Sequence, residues 1–166
     1  MEYQVKTAHG TLFCRREGSG PLLLLIHGVA CDSEFFREAS AILSKKFTVI
    51  SYDRRGYSRS IPAEGETDFS VWAHADDAAE IIGAEPKRKH EEEICLEESE
   101  LQMNGAEEQS KVKDGQNTGF FVAGCSAGGA GAAALATKYP ELVRQVFLHE
   151  PLMRGSGELA AEQDAF

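Results

Sequence analysis

Apolar and polar positions alternate over residues 3–8 and again over 11–17, which predicts two strands joined by a turn at His9-Gly10. The cluster Gly18-Ser19-Gly20-Pro21 ends that pattern as a loop. Leu22–Ile26 is then apolar at every position, as expected of a parallel strand covered on both faces. From Asp32 or Ser33 as N-cap, helical spacing runs to about Leu43, placing Phe35, Phe36, Ala39, Ile42 and Leu43 on one stripe. Phe47–Tyr52 reads as the next strand. Asp68 or Ser70 caps a second helix carrying Val71, Ala75, Ala78 and Ile82 at helical spacing. A further apolar strand, Phe120–Ala123, leads through a turn into a helix of small residues that ends before Pro140, and Val143–His149 is the last strand. Strands alternating with helices at this rhythm predict an α/β fold with a mainly parallel sheet and helices on both faces.

One stretch breaks the rhythm. Between about residues 85 and 117 the chain is polar, with ten acidic residues against five basic ones and few apolar anchors. Ile94, Leu96, Leu101 and Met103 allow one short amphipathic helix there, but no stripe persists. The expectation is a solvated acidic insert in a single domain, with a docking surface for a basic partner as the alternative. It joins a helix to the next parallel strand, so it belongs at the sheet edge opposite the one where ligands bind.

Composition narrows the function classes. The chain has 166 residues, 42% of them hydrophobic, and a net charge of −10. That length suits one domain, and the charge argues against nucleic acid or an anionic membrane as partner. No apolar run approaches the ~18 residues of a membrane span, and the first residues lack the pattern of a signal peptide. Cys14, Cys31, Cys95 and Cys125 are scattered without C-x-x-C spacing, so neither a metal nor a disulfide framework is expected. A reducing cytoplasm is the expected setting, with Cys125 a small buried filler.

The candidate chemistry lies at Gly124-Cys125-Ser126-Ala127-Gly128, a G-x-S-x-G between a strand and a helix. Such a turn holds its serine in strained backbone geometry and places the hydroxyl at a helix N-terminus, whose free N–H groups favour negative charge. Taken alone, the pattern is common in ordinary turns. Three further landmarks stand in order at the ends of predicted strands: His27-Gly28, Asp53-Arg54-Arg55-Gly56-Tyr57-Ser58 and His149-Glu150-Pro151.

In this order the landmarks resemble the α/β-hydrolase superfamily, and within it the branch of serine esterases, lipases and cofactor-free haloperoxidases. The resemblance covers roughly residues 8–84 and 119–153. It implies acyl transfer from a small carboxylic ester or related acyl compound, with Ser126 as nucleophile and no cofactor. The backbone N–H groups of Ala127 and Val29 would form the oxyanion hole. A serine at this position also sets the chain apart from the dehalogenase and epoxide-hydrolase branches, which use Asp. His27 is expected to pack beneath the oxyanion loop rather than to act as base, with Asp53 and Gly56 shaping the following loop. Arg54, Arg55 and Arg59 are expected to be solvated or to hold that loop. His74, placed mid-helix, and His90 are expected far from the sheet's functional edge. Glu150 is either the catalytic acid, as in some relatives, or a carboxylate bonded to a nearby loop. His149 alternates to the other side of its strand and is a poor base.

The family order is Ser, acid, His, and no His follows His149. The last strands and the His-bearing loop of the family have no counterpart here, which leaves Val143–His149 as an open sheet edge. The chain is therefore expected to be either the N-terminal portion of a longer hydrolase or a short form that lost triad catalysis. Poor activity follows in both cases, a non-catalytic binding protein is the alternative, and a homodimer through the open edge would supply missing strands.

Overall fold

A computed structural model of the chain describes residues 1–100 and 119–152, with side chains at 1–85 and 119–152. Seven strands form one sheet: β1 (Glu2–Thr7), β2 (Gly10–Glu17), β3 (Leu22–Ile26), β4 (Thr48–Tyr52), β5 (Ile61–Pro62), β6 (Phe120–Cys125) and β7 (Val143–His149). Their order is β1-β2-β4-β3-β6-β7, with the short β5 beside β2. β1, β2 and β4 pair antiparallel, whereas β4, β3, β6 and β7 run parallel. The helices are α1 (Arg37–Leu43), α2 (Val71–Glu100) and α3 (Ala127–Lys138).

The unbroken apolar run of β3 is explained by its central position. Leu24 and Ile26 face the larger core, which includes Ile50, Tyr52, Val122, and Ala75, Ala78 and Ile81 of α2. Leu23 and Leu25 face the other side, with Val49, Phe36, Leu43, Phe47 and Phe121. Every residue of the strand has an apolar neighbour, so alternation would have cost burial on one face.

Two expectations are corrected. Residues Ser33–Phe36 form a 3-10 turn capped by Asp32, whose Oδ1 accepts the Glu34 N–H at 2.9 Å, and the α-helix begins only at Arg37. Phe36 and Leu43 reach the sheet, but Phe35, Ala39 and Ile42 face outward, Ile42 at 67% exposure. The start of the polar stretch is also displaced. Ser70 caps α2, its Oγ accepting the Ala73 N–H, and the helix runs past Glu85 to Glu100. Glu85 itself is fully buried, accepting a 2.6 Å hydrogen bond from Tyr3 Oη, with Arg16 Nε at 3.4 Å. The expected short helix through Leu101 and Met103 lies partly outside the described residues.

Candidate active site

Ser126 occupies φ +55°, ψ −123° between β6 and α3. A non-glycine residue is held there at a cost of about 1–3 kcal/mol and only where its surroundings over-determine it. They do. The Ser126 N–H donates to the His149 carbonyl at 3.0 Å, and its carbonyl accepts from Gly129 N–H at 2.9 Å and Leu152 N–H at 3.0 Å. The loop after β3 closes the other side: a Cβ on Gly28 would lie 3.1 Å from Ser126 Cβ and 3.6 Å from its Oγ. Val29 follows on this loop, 57% exposed, and Ala127 opens α3. Neither amide N–H is bonded to another described residue.

That loop is held from beneath. His27 is fully buried, and its Nδ1 lies 2.8 Å from the Gly28 carbonyl while its Nε2 accepts the Arg54 N–H at 2.9 Å. A carbonyl only accepts and an amide N–H only donates, so the ring is neutral with its proton on Nδ1. Burial pushes its pKa down, in the same sense. Arg54 Nη2 donates to the same Gly28 carbonyl at 2.9 Å. Asp53 ties the loops after β3 and β4 together. Its carboxylate accepts from the Ser33 N–H at 2.9 Å, from the Arg59 N–H at 3.1 Å and from Arg59 Nε at 2.8 Å. Burial raises its pKa, but the Arg59 and Ser33 bonds outweigh that and hold it below the usual carboxylate range.

Arg54 and Arg55 are buried, at 3% and 2% exposure, so they hold the loop rather than sit in solvent. Arg55 makes two parallel bonds to buried Asp77, Nε–Oδ2 at 3.0 Å and Nη2–Oδ1 at 2.7 Å. His74 requires a correction. It lies in the first turn of α2, not mid-helix, buried at 6% exposure, and it feels the positive charges of Arg54 and Arg55 and the negative charge of Asp68. Burial, reinforced by the two arginines, lowers its pKa to about 3.

The sign of the consequence follows. Above pH 6.5 His74 is neutral in both folded and unfolded chains. Below it only the unfolded chain takes up the proton, so each pH unit down to about 3 removes about 1.4 kcal/mol of stability. Urea titrations from pH 7 to 4 are expected to show wild type losing stability more steeply than His74→Met by that amount. Equal slopes would remove His74 as the cause.

The remaining predicted residues are not drawn into one cluster. Glu150 follows β7 at φ +45°, exposed and with no partner among the described residues. His149 turns toward Cys125, Nδ1 at 3.6 Å from Sγ, across the register pair Cys125↔His149. Cys125 is thus half-buried on an open part of the sheet, not the buried filler expected. His9 pairs with Glu66 at 2.6 Å. Among the described side chains no imidazole is hydrogen-bonded to Ser126 Oγ. His90 lies outside the described side chains. The Gly28–Arg54 contact had no sequence signal, because its partners lie 26 positions apart.

The chain as a whole is similar to known proteins. A family model for the alpha/beta hydrolase fold covers residues 21–89. The solved structure of E-2-(acetamidomethylene)succinate hydrolase superposes with a TM-score of 0.63 at 29% identity, over 88% of this chain and 42% of that one. The chain has the α/β-hydrolase fold and resembles the N-terminal part of that superfamily. An uncharacterized hydrolase of Bacillus subtilis is 29% identical over 136 residues, 82% of this chain and 39% of that protein. The 2-(acetamidomethylene)succinate hydrolase of Mesorhizobium japonicum is 40% identical over 72 residues, 43% of this chain and 25% of the enzyme. The chain therefore spans less than half the length of these α/β-hydrolase relatives. Among the described residues no helix is long and apolar enough to cross a membrane.

Proposed function

We propose that this chain carries the nucleophile and oxyanion loop of a serine hydrolase that cleaves a small carboxylic ester or related acyl compound. Ser126 Oγ attacks the acyl carbon and the Val29 and Ala127 amides receive the oxyanion. The carbonyl re-forms as the alcohol leaves, and water then releases the acid from the acyl-enzyme. The observation that carries this reading is the backbone of Ser126, held at φ +55° at the start of α3 with Gly28 against its hydroxyl. The relative named for 2-(acetamidomethylene)succinate, an acetamido compound, supports an acyl substrate. Glu150 is the acid in this reading. The base is not among the described side chains, so this chain alone turns over slowly: without a base only the oxyanion hole and binding contribute. Among the described side chains Cys31 and Cys125 are free thiols, which accords with a cytoplasmic setting. The outer edge of β7, unpaired among the described residues and with Phe147 50% exposed, accords with a homodimer formed through it.

A second reading, a ligand-binding protein without turnover, is favoured by one observation: His9, His27 and His149 all have partners other than Ser126. A fluorophosphonate probe separates the two. Attack of Ser126 Oγ on phosphorus releases fluoride and gives the hydroxyl proton to the buffer. Intact-mass spectrometry is expected to show one adduct on wild type and none on Ser126→Ala. A folded chain that takes no adduct sinks the hydrolase reading and leaves the binder.

A further inference from the structure

We propose that Arg54 is a positioning residue for the Val29 oxyanion donor, acting through the Gly28 carbonyl; this rests on the Ser126 acyl-transfer reading. The C=O of Gly28 and the N–H of Val29 belong to one planar peptide and point in opposite directions. Arg54 Nη2 at 2.9 Å and His27 Nδ1 at 2.8 Å both bond that oxygen, occupying its two lone pairs. The direction of the Val29 N–H is thereby set from behind, with no contact to the Val29 side chain.

Charge adds a second argument. Arg55 pairs with Asp77 and Arg59 with Asp53, but Arg54 forms no ion pair with a described carboxylate. Its guanidinium is buried, its Nε is without a hydrogen-bond partner, and the Tyr57 ring lies 4.4 Å from its carbon centre. A buried cation without a counter-charge is costly to keep. Here it lies on the far side of one peptide from the place where negative charge develops on the substrate. A guanidinium bonded to the carbonyl draws electron density through the amide and strengthens the N–H opposite. The gain is realised as the oxyanion forms, so Arg54 acts on the rate of attack rather than on binding of the neutral acyl group.

The test compares wild type, Arg54→Lys and Arg54→Met by fluorophosphonate labelling rate, by urea midpoint, and by the amide proton shift of Val29 in NMR spectra of the full chain. Removing one oxyanion donor outright costs about 10²–10³ in rate. Weakening one is expected to slow labelling of Arg54→Met by about tenfold, with partial rescue in Arg54→Lys, which keeps charge and one donor. The Val29 amide proton is expected to move upfield in Arg54→Met, the shift centred on the Gly28–Val29 peptide. Labelling of folded Arg54→Met at the wild-type rate overturns the proposal. If wild type itself takes no label, the Ser126 reading fails and the oxyanion role of Val29 with it, whereas a labelled wild type with an unchanged Val29 shift in Arg54→Met overturns the positioning role alone. Should Arg54→Met fail to fold, the same two readouts on Arg54→Lys carry the decision.

Discussion

Asp77→Ala is expected to lose about 3–5 kcal/mol of stability, because it strands a guanidinium in the interior. Arg55 and Asp77 are 2% and 1% exposed, and their two bonds span the loop after β4 and the start of α2. Burial pushes the Asp77 carboxyl up, against the pull of the Arg55 bonds. The pair therefore owes its worth to geometry rather than to free attraction. Arg55 retains only Glu66 Oε2 at 3.3 Å and the carbonyls of Asp68 and Ala73 when Asp77 is removed. Replacing both partners with apolar residues of similar size, Arg55→Met with Asp77→Leu, is expected to recover most of the loss, since neither charge is then left unpaired. Urea unfolding of the single and double variants measures this. A single variant within 1 kcal/mol of wild type would show that the pair is not the clasp described.

How much of this was legible in the sequence depended on how local the cause was. β3 runs over the residues its apolar pattern indicates, because burial on both faces leaves a contiguous mark, and β7 also spans its expected residues although most of it is exposed. The strained serine turn was legible for the same reason: its glycines are neighbours in sequence. Contacts between distant residues left no such mark. Glu85 stands at the head of an acid-rich stretch, and only the fold brings Tyr3 Oη and Arg16 to it. Nor did three arginines within six residues, Arg54, Arg55 and Arg59, reveal which were paired. Arg59 meets Asp53 six residues away, Arg55 needs Asp77 from the next helix, and Arg54 takes a backbone carbonyl. The α1 stripe failed for a subtler reason. The buried face carries Ser33, Phe36, Ser40 and Leu43 at spacings of three and four, and its two serines are not marked by hydrophobicity, so Phe35, Ala39 and Ile42 fall on the outer face.

Gly128→Ala is expected to be among the most damaging single-methyl changes at the described glycines, costing about 3 kcal/mol or more. A Cβ on Gly128 would run into the carbonyl oxygens of Ile26 and His27. These are backbone atoms of the central strand and of the loop leaving it, so neither can rotate aside. The first turn of α3 would have to back away from β3, carrying Ser126 and Ala127 from the Gly28–Val29 peptide. Loss of stability and loss of fluorophosphonate labelling are therefore expected together. Gly131→Ala, the same change one turn further along the same helix, provides the control. Its Cβ would find only Ile26 Cγ2, at 3.9 Å, an ordinary contact, and its φ is unexceptional. Alanine in place of glycine within a helix stabilises by up to about 1 kcal/mol. The two variants are thus expected to move the urea midpoint in opposite directions. If both move it the same way, helix propensity rather than close approach of α3 to β3 governs the small-residue run, and Gly128 loses its role in seating the nucleophile.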